Sequence, residues 1–387
     1  MPGTIGIPKE RKDNERRVAL TPDGAAELAC RGHLILVQSG AGTEAGYSDE
    51  EYSACGATVV FSAEEVFSEA ELIVKVKEPI PSEYDLFQEG QKLFTYLHLA
   101  ADKGLTEFLM YRKIDSIAYE TVQLDDGSLP LLTPMSEVAG RMSVQAAAHS
   151  LENTSGGAGL LLGGVPGTPA ARVTIMGGGV VGTEAAKIAV GMRAVVRVMD
   201  INPKRLAYLS DIFAGRVDLV TPNKARTASY VAESDVVIGA VLVAGAKAPK
   251  LVTREMISSM REGSVAVDVA IDQGGCIETA RPTTHSDPTY VEQGVVHYCV
   301  ANIPGAVTRT STLALTSATL PYLVDIADKG VERAAREDRS LCRGLSTLSG
   351  ELVSEPVALS HGLGYGDKAA RSASASKEAI TTKGLGV

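Results

Sequence analysis

Short apolar runs recur along this chain with helical stretches between them. Residues 4–8, 33–38, 58–61, 72–76, 92–96 and 116–119 read as strands. Between them lie a helix capped by Thr21 with Pro22 in first position and ending near Arg31, and further helices over 63–70 and 106–112. Apolar runs without a polar alternate face, interleaved with helices, predict a parallel sheet covered on both sides. A helix over 135–151 and a glycine-rich connector over 155–167 lead into a second such series. Its strands fall at 173–176, 195–199, 217–220, 236–240, 265–269 and 295–300, with helices at 225–232 and 254–260. A last helical region, 311–339, is expected to pack back on the first part. The pattern predicts an α/β protein of two Rossmann-like, doubly wound domains: 1–130 with 308–365, and an inserted domain over 131–307. From 366 to 387 Ser, Ala and Lys dominate without apolar periodicity, so a disordered tail is expected.

The second series opens with the most informative stretch, RVTIMGGGVVGTEAAKIAVGMRAVVRVMD, residues 172–200. Strand, glycine turn, helix, strand and acid follow one another. Gly177 permits the tight turn, Gly179 lets the backbone approach a pyrophosphate, and Gly182 lets the helix pack closely on the sheet. The helix N-terminus offers free N–H groups and the positive end of its dipole to phosphate. Asp200 accepts the ribose hydroxyls and repels a 2′-phosphate, which selects NAD over NADP despite the nearby Lys204 and Arg205.

Composition narrows the function. A chain of 387 residues, 22% charged and 45% hydrophobic, is globular and long enough for two domains. Its net charge of −10 gives no basic footprint for nucleic acid or an anionic membrane surface. No run of about 18 apolar residues and no signal-peptide core occur, so a soluble, cytoplasmic protein is expected. Five scattered cysteines and six dispersed histidines have no metal-ligand spacing, and no metal is expected.

Four charged residues fall at strand ends, where open α/β sheets bind ligands: Arg17, Lys75, His98 and Asp272. Singly, they read more readily as a surface or ion-pair arginine, a snorkelling edge lysine, a hydrogen-bonded core histidine and a turn or helix-cap residue than as catalytic groups. Together they are compatible with a carboxylate clamp and an acid/base pair.

The segments PKERKDNERRVALTP, LIVKVKEP, FTYLHLAA, PLLTPMSEVAGR, VAVDVAIDQGGC and RPTTH, in this order, closely resemble bacterial alanine dehydrogenases, over about residues 6–348. The resemblance implies reversible, NAD-dependent conversion of L-alanine to pyruvate and ammonium by a homohexamer. It implies that Arg17 and Lys75 bind the substrate carboxylate, that His98 is the acid/base with Asp272 its partner, and that Tyr96, Leu132 and Met135 form the methyl pocket. It implies cofactor contacts at Ser136, Val180, Val181, Asp200, Arg205 and Val241, and at Leu242, Val269, Arg281, Asn302 and Ile303.

Three departures from the family stand out. Pro222 replaces a serine, Arg193 stands where relatives place the glycine that ends a helix, and Asp325 with Lys329 replaces an acid–histidine metal pair. The rival readings are the nucleotide-binding subunit of a membrane transhydrogenase and a non-catalytic NAD-binding oligomer.

Overall fold

The computed structural model describes residues 3–241 and 248–366. The expected tail from 367 on, and Leu242, lie outside the described residues. The chain divides into two compact units, Met1–Pro134 with Val307–Val387, and Met135–Ala306.

In the first unit the apolar runs form β1 (Thr4–Ile7), β2 (Leu34–Gln38), β3 (Thr58–Val60), β4 (Leu72–Val74), β5 (Lys92–Thr95) and β6 (Asp115–Ala118). The second unit carries β7 (Arg172–Met176), β8 (Val195–Met199), β9 (Val217–Val220) and β10 (Val236–Gly239), then β11 (Val265–Asp268), β12 (Thr289–Glu292) and β13 (Val295–Tyr298). The chain returns to the first unit with β14 (Leu345–Leu348) and β15 (Glu351–Leu352).

Among the described residues the sheets run β15-β14-β6-β5-β4-β1-β2-β3 and β12-β13-β11-β10-β7-β8-β9. From β3 across to β6, and from β9 across to β13, every pairing is parallel. Strand order therefore reverses between β1 and β4 in one sheet and between β7 and β10 in the other, which marks the ligand crevice of each. The edges differ from the all-parallel expectation, because β14 runs antiparallel to β6 and to β15, and β12 antiparallel to β13. Both edge hairpins turn on two left-handed residues, Gln293-Gly294 (φ 54° and 74°) and Ser349-Gly350 (φ 50° and 83°). Such turns match the twist of paired strands, but Gln-Gly and Ser-Gly lack the usual Asn-Gly signal.

The core of the second unit shows why its helix follows the glycine turn so closely. Ala185, Ala186 and Ala189, all fully buried, face the sheet from the helix Val180–Gly191 and pack with Val173, Ile175, Val196 and Val198. That helix ends as anticipated, with Arg193 left-handed at φ 65° and its N–H on the Val190 carbonyl at 2.9 Å. The last helical region belongs to the first unit as Thr308–Lys329, then breaks at Gly330 (φ 79°) into Val331–Glu337 and Arg339–Gly344. Lys329 bridges Asp325 at 2.5 Å and Glu337 at 3.0 Å. Among the described residues no helix is long and apolar enough to cross a membrane.

Candidate active site

In the first unit the charged residues gather on segments that leave the carboxyl ends of β1, β4, β5 and β6. Arg17 follows β1 and is almost fully buried. It grips Glu15 with both edges of its fork, Nε to Oε1 at 2.7 Å and Nη2 to Oε2 at 2.5 Å. Burial alone would raise the Glu15 carboxyl, but the hydrogen bonds and charge of Arg17 outweigh it and lower its pKa to about 2.

Lys75 lies directly after β4, and its buried ammonium donates to Glu83 Oε1 at 2.8 Å and meets Glu10 Oε2 at 3.2 Å. Burial opposes its charge, yet these two carboxylates prevail and hold its pKa above the usual lysine value. Glu10 in turn accepts the Val76 N–H at 2.6 Å, and Glu83 the Ile80 N–H at 3.0 Å. Burial pushes the Glu10 carboxyl up, against the opposing charge of Lys75.

His98 leaves β5 in a left-handed conformation, φ 50°, unusual for a residue with a β-carbon. Glu120, just beyond β6, fixes this turn by accepting the His98 N–H at 2.6 Å and the Leu97 N–H at 3.2 Å. The same carboxylate stands 4.0 Å from His98 Nδ1. The imidazole, half exposed, lies parallel to the Tyr96 ring with centroids 5.9 Å apart. Tyr96 itself is buried, and its hydroxyl donates to the Leu131 carbonyl at 2.6 Å. Leu132 follows, partly buried, while Met135 and Ser136 open the second unit on the helix Thr133–Ser150.

In the second unit the glycine turn has the geometry its sequence demands. Gly177 is left-handed at φ 102°, and a β-carbon there would lie 2.8 Å from the Ala240 carbonyl and from the Val241 side chain. A β-carbon on Gly182 would stand 1.8 Å from the Gly177 carbonyl, so no other residue fits. Gly179 faces open space and begins the helix without a side-chain cap, which leaves the first N–H groups, at Val180 and Val181, for an anion. These residues fit a bound dinucleotide pyrophosphate.

Asp200, at the end of β8, accepts the Gly178 N–H at 2.7 Å and the Asn202 N–H at 2.7 Å, each oxygen keeping a lone pair for a ribose hydroxyl. Arg205 is turned onto the glycine loop, where it donates to the Gly178 carbonyl, to Thr183 Oγ1 at 2.7 Å and to the Gly179 carbonyl at 3.3 Å. Val269 and the exposed Asp272 follow β11, and Asn302 and Ile303 follow β13. The Asn302 N–H donates to Asp272 Oδ2 at 3.3 Å. Arg281 lays its guanidinium 3.9 Å over the Tyr290 ring. Among the described residues no cluster of His, Cys, Asp and Glu could hold a metal ion.

The structure thus groups Arg17, Lys75, Tyr96 and His98 in the first unit, and the glycine turn, Asp200, Asp272 and Asn302 in the second. Sequence reading missed the carboxylates that set these groups: Glu10, Glu15, Glu83 and Glu120. Their only signal was position within the segments PKERKDNERR and SIAYETV and in the first turn of the short helix Pro81–Leu86, where an acid reads as an ordinary turn or cap residue.

Comparison with known proteins agrees with this architecture. The model of the alanine dehydrogenase/PNT N-terminal domain matches residues 6–139, and that of the C-terminal domain matches residues 143–355. The chain is 58% identical to an alanine dehydrogenase of Methanococcus maripaludis, over 93% of this chain and 97% of that protein. It is 55% identical to one of Halomonas elongata, with the same coverage of 93% and 97%. A solved L-alanine dehydrogenase superposes with a TM-score of 0.90 at 52% identity, over 93% of this chain and 99% of the other. A transhydrogenase from Sinorhizobium meliloti gives 0.78 at 25% identity, over 91% and 99%. By domain content, identity and coverage, this chain belongs to the alanine dehydrogenase/PNT family.

Proposed function

We propose that this chain catalyses the reversible, NAD-dependent oxidative deamination of L-alanine to pyruvate and ammonium. The observation that carries this reading is the cluster of Arg17, Lys75 and His98 at the strand ends of the first sheet, in a chain 54–58% identical to alanine dehydrogenases. The buried cations orient the substrate carboxylate. Tyr96, Leu132 and Met135 bound the space for the methyl group, and apolar selection of this kind discriminates by only about 1–3 kcal/mol per methylene.

The nicotinamide, when bound, supplies the hydride acceptor for the alanine Cα. His98 takes the proton of the water that attacks the resulting iminium carbon and returns one to the departing amine, a two-way role suited to imidazole near neutral pH. Asp272 orients the reacting groups and stabilises the positive charge that develops. The second unit holds the cofactor through Gly177, Gly179 and Gly182, the N–H groups of Val180 and Val181, and the ribose acceptor Asp200. Ser136, Arg205, Val241, Leu242, Val269, Arg281, Asn302 and Ile303 complete the contacts. The acid at 200 makes the cofactor NAD, and the working form is a cytoplasmic homohexamer.

The test is loss of NADH absorbance on mixing the protein with pyruvate and ammonium, with NADPH and glyoxylate in parallel. Rapid loss confined to NADH and strongest with pyruvate is expected. NADH binding without consumption by any 2-oxo acid would remove the reaction.

A further inference from the structure

The two cations nominated for the substrate carboxylate are already neutralised within the protein. Glu15 holds Arg17 through two hydrogen bonds, and Glu10 and Glu83 both meet the Lys75 ammonium. Three buried carboxylates thus face two buried cations. Even with a proton on Glu10, whose carboxyl burial pushes upward, the charges only balance. A seat of this kind does not by itself attract an anion.

One further cation stands beside it. Lys77 lies two residues beyond Lys75 on the segment leaving β4, held to β5 by the Thr95 hydroxyl, which donates to the Lys77 carbonyl at 3.0 Å. Its side chain is largely buried next to Arg17, with Glu78, Lys12 and Glu15 as its other charged neighbours. Glu15 belongs to Arg17, and Glu78 is taken by Lys12. Among the described residues no carboxylate lies within ion-pair distance of the Lys77 ammonium, and no acceptor receives a hydrogen bond from it. Burial, and next the charge of Arg17, pull its pKa below the usual lysine value. A partly desolvated ammonium without a counter-ion is costly, and such groups concentrate where a ligand supplies the missing charge.

We propose that Lys77 is a substrate-contacting residue, whose ammonium supplies the uncompensated positive charge that draws the substrate carboxylate to the seat of Arg17 and Lys75. This rests on the reading of the chain as an enzyme of small 2-oxo and amino acids. Arg17 and Lys75, fixed by their acids, give direction to the bound carboxylate; Lys77 gives the attraction.

The experiment measures pyruvate binding to the NADH-loaded protein in the absence of ammonium, by the change in NADH fluorescence, from pH 6 to 10, for wild type, K77M and K77R. Turnover with ammonium is recorded in parallel. K77M removes the charge at similar volume and is expected to weaken pyruvate binding roughly 10- to 100-fold, the range for a hydrogen bond to a charged group, with NADH affinity unchanged. K77R restores binding at neutral pH. Because the lysine loses its proton as pH rises while a guanidinium does not, the K77R profile must extend to higher pH than that of wild type.

Unchanged pyruvate affinity in K77M, or superimposable pH profiles for wild type and K77R, overturns the role of Lys77. Wild type that binds pyruvate in a Lys77-dependent way yet consumes no NADH leaves this inference standing and removes the reaction. Wild type that binds no pyruvate overturns both.

Discussion

His98 is held by its backbone more than by its ring. Glu120 accepts two consecutive N–H groups and so fixes a left-handed turn that a histidine does not choose unaided. The imidazole is left half exposed beside Tyr96. Replacing His98 by Ala is expected to abolish turnover while NADH binding, measured by fluorescence titration, survives; a near-normal rate removes His98 from the mechanism. Glu15 makes a different prediction. Its carboxyl is buried, which opposes ionisation, yet Arg17 brings its pKa from 4.5 down to about 2. A carboxylate depressed in the folded state contributes stability that is present above its unfolded value and is lost as pH falls through the folded one. Between pH 4.5 and about 2 the thermal midpoint of the wild type should therefore fall. Glu15→Gln should melt lower at pH 7, because Arg17 loses its counter-charge, and should change less across that acid window. Calorimetric scans of both proteins check the sign.

At the scale of elements, the legibility of the chain follows from how each strand is buried. β4 and β10 lie inside parallel sheets and read as unbroken apolar runs. β14 is also fully buried, but its sequence is Leu-Ser-Thr-Leu; the Ser346 hydroxyl donates locally to the Gly344 carbonyl at 3.3 Å, whereas that of Thr347 depends on partners far along the chain. Thr347 donates to the Ile114 carbonyl at 2.7 Å and pairs with Ser116 Oγ at 2.6 Å, contacts that no local pattern announces. The glycine turn was legible because its constraints are local, whereas the acids that seat Arg17, Lys75 and His98 matter only once distant segments meet. The helix Val180–Gly191 offers two measurements. Arg193→Gly relieves the left-handed residue after the helix and should stabilise the protein by about 1 kcal/mol in denaturant unfolding. Gly182→Ala would place a β-carbon 1.8 Å from the Gly177 carbonyl. It should cost at least ~1–3 kcal/mol and weaken NADH binding, because the turn must move to admit it.

At the scale of the molecule, the chain leaves the first unit after Pro134 and comes back at Val307, so the second unit is continuous in sequence and the first is not. Removing the chain from residue 345 onward should yield aggregated protein, because the paired edge of β6 then stays open; soluble, monodisperse material in size-exclusion chromatography would refute this. The same interruption sets an order on synthesis. Ser116 and its partner Thr347 are 231 residues apart, which at about 5–20 residues per second is a delay of roughly 10 to 50 s on the ribosome. Throughout that interval the nascent first sheet carries a bare edge, while the second unit has every residue it needs to fold as soon as Ala306 has been added. The inserted unit can thus finish folding first, while the sheet begun before it stays incomplete until the last strands arrive.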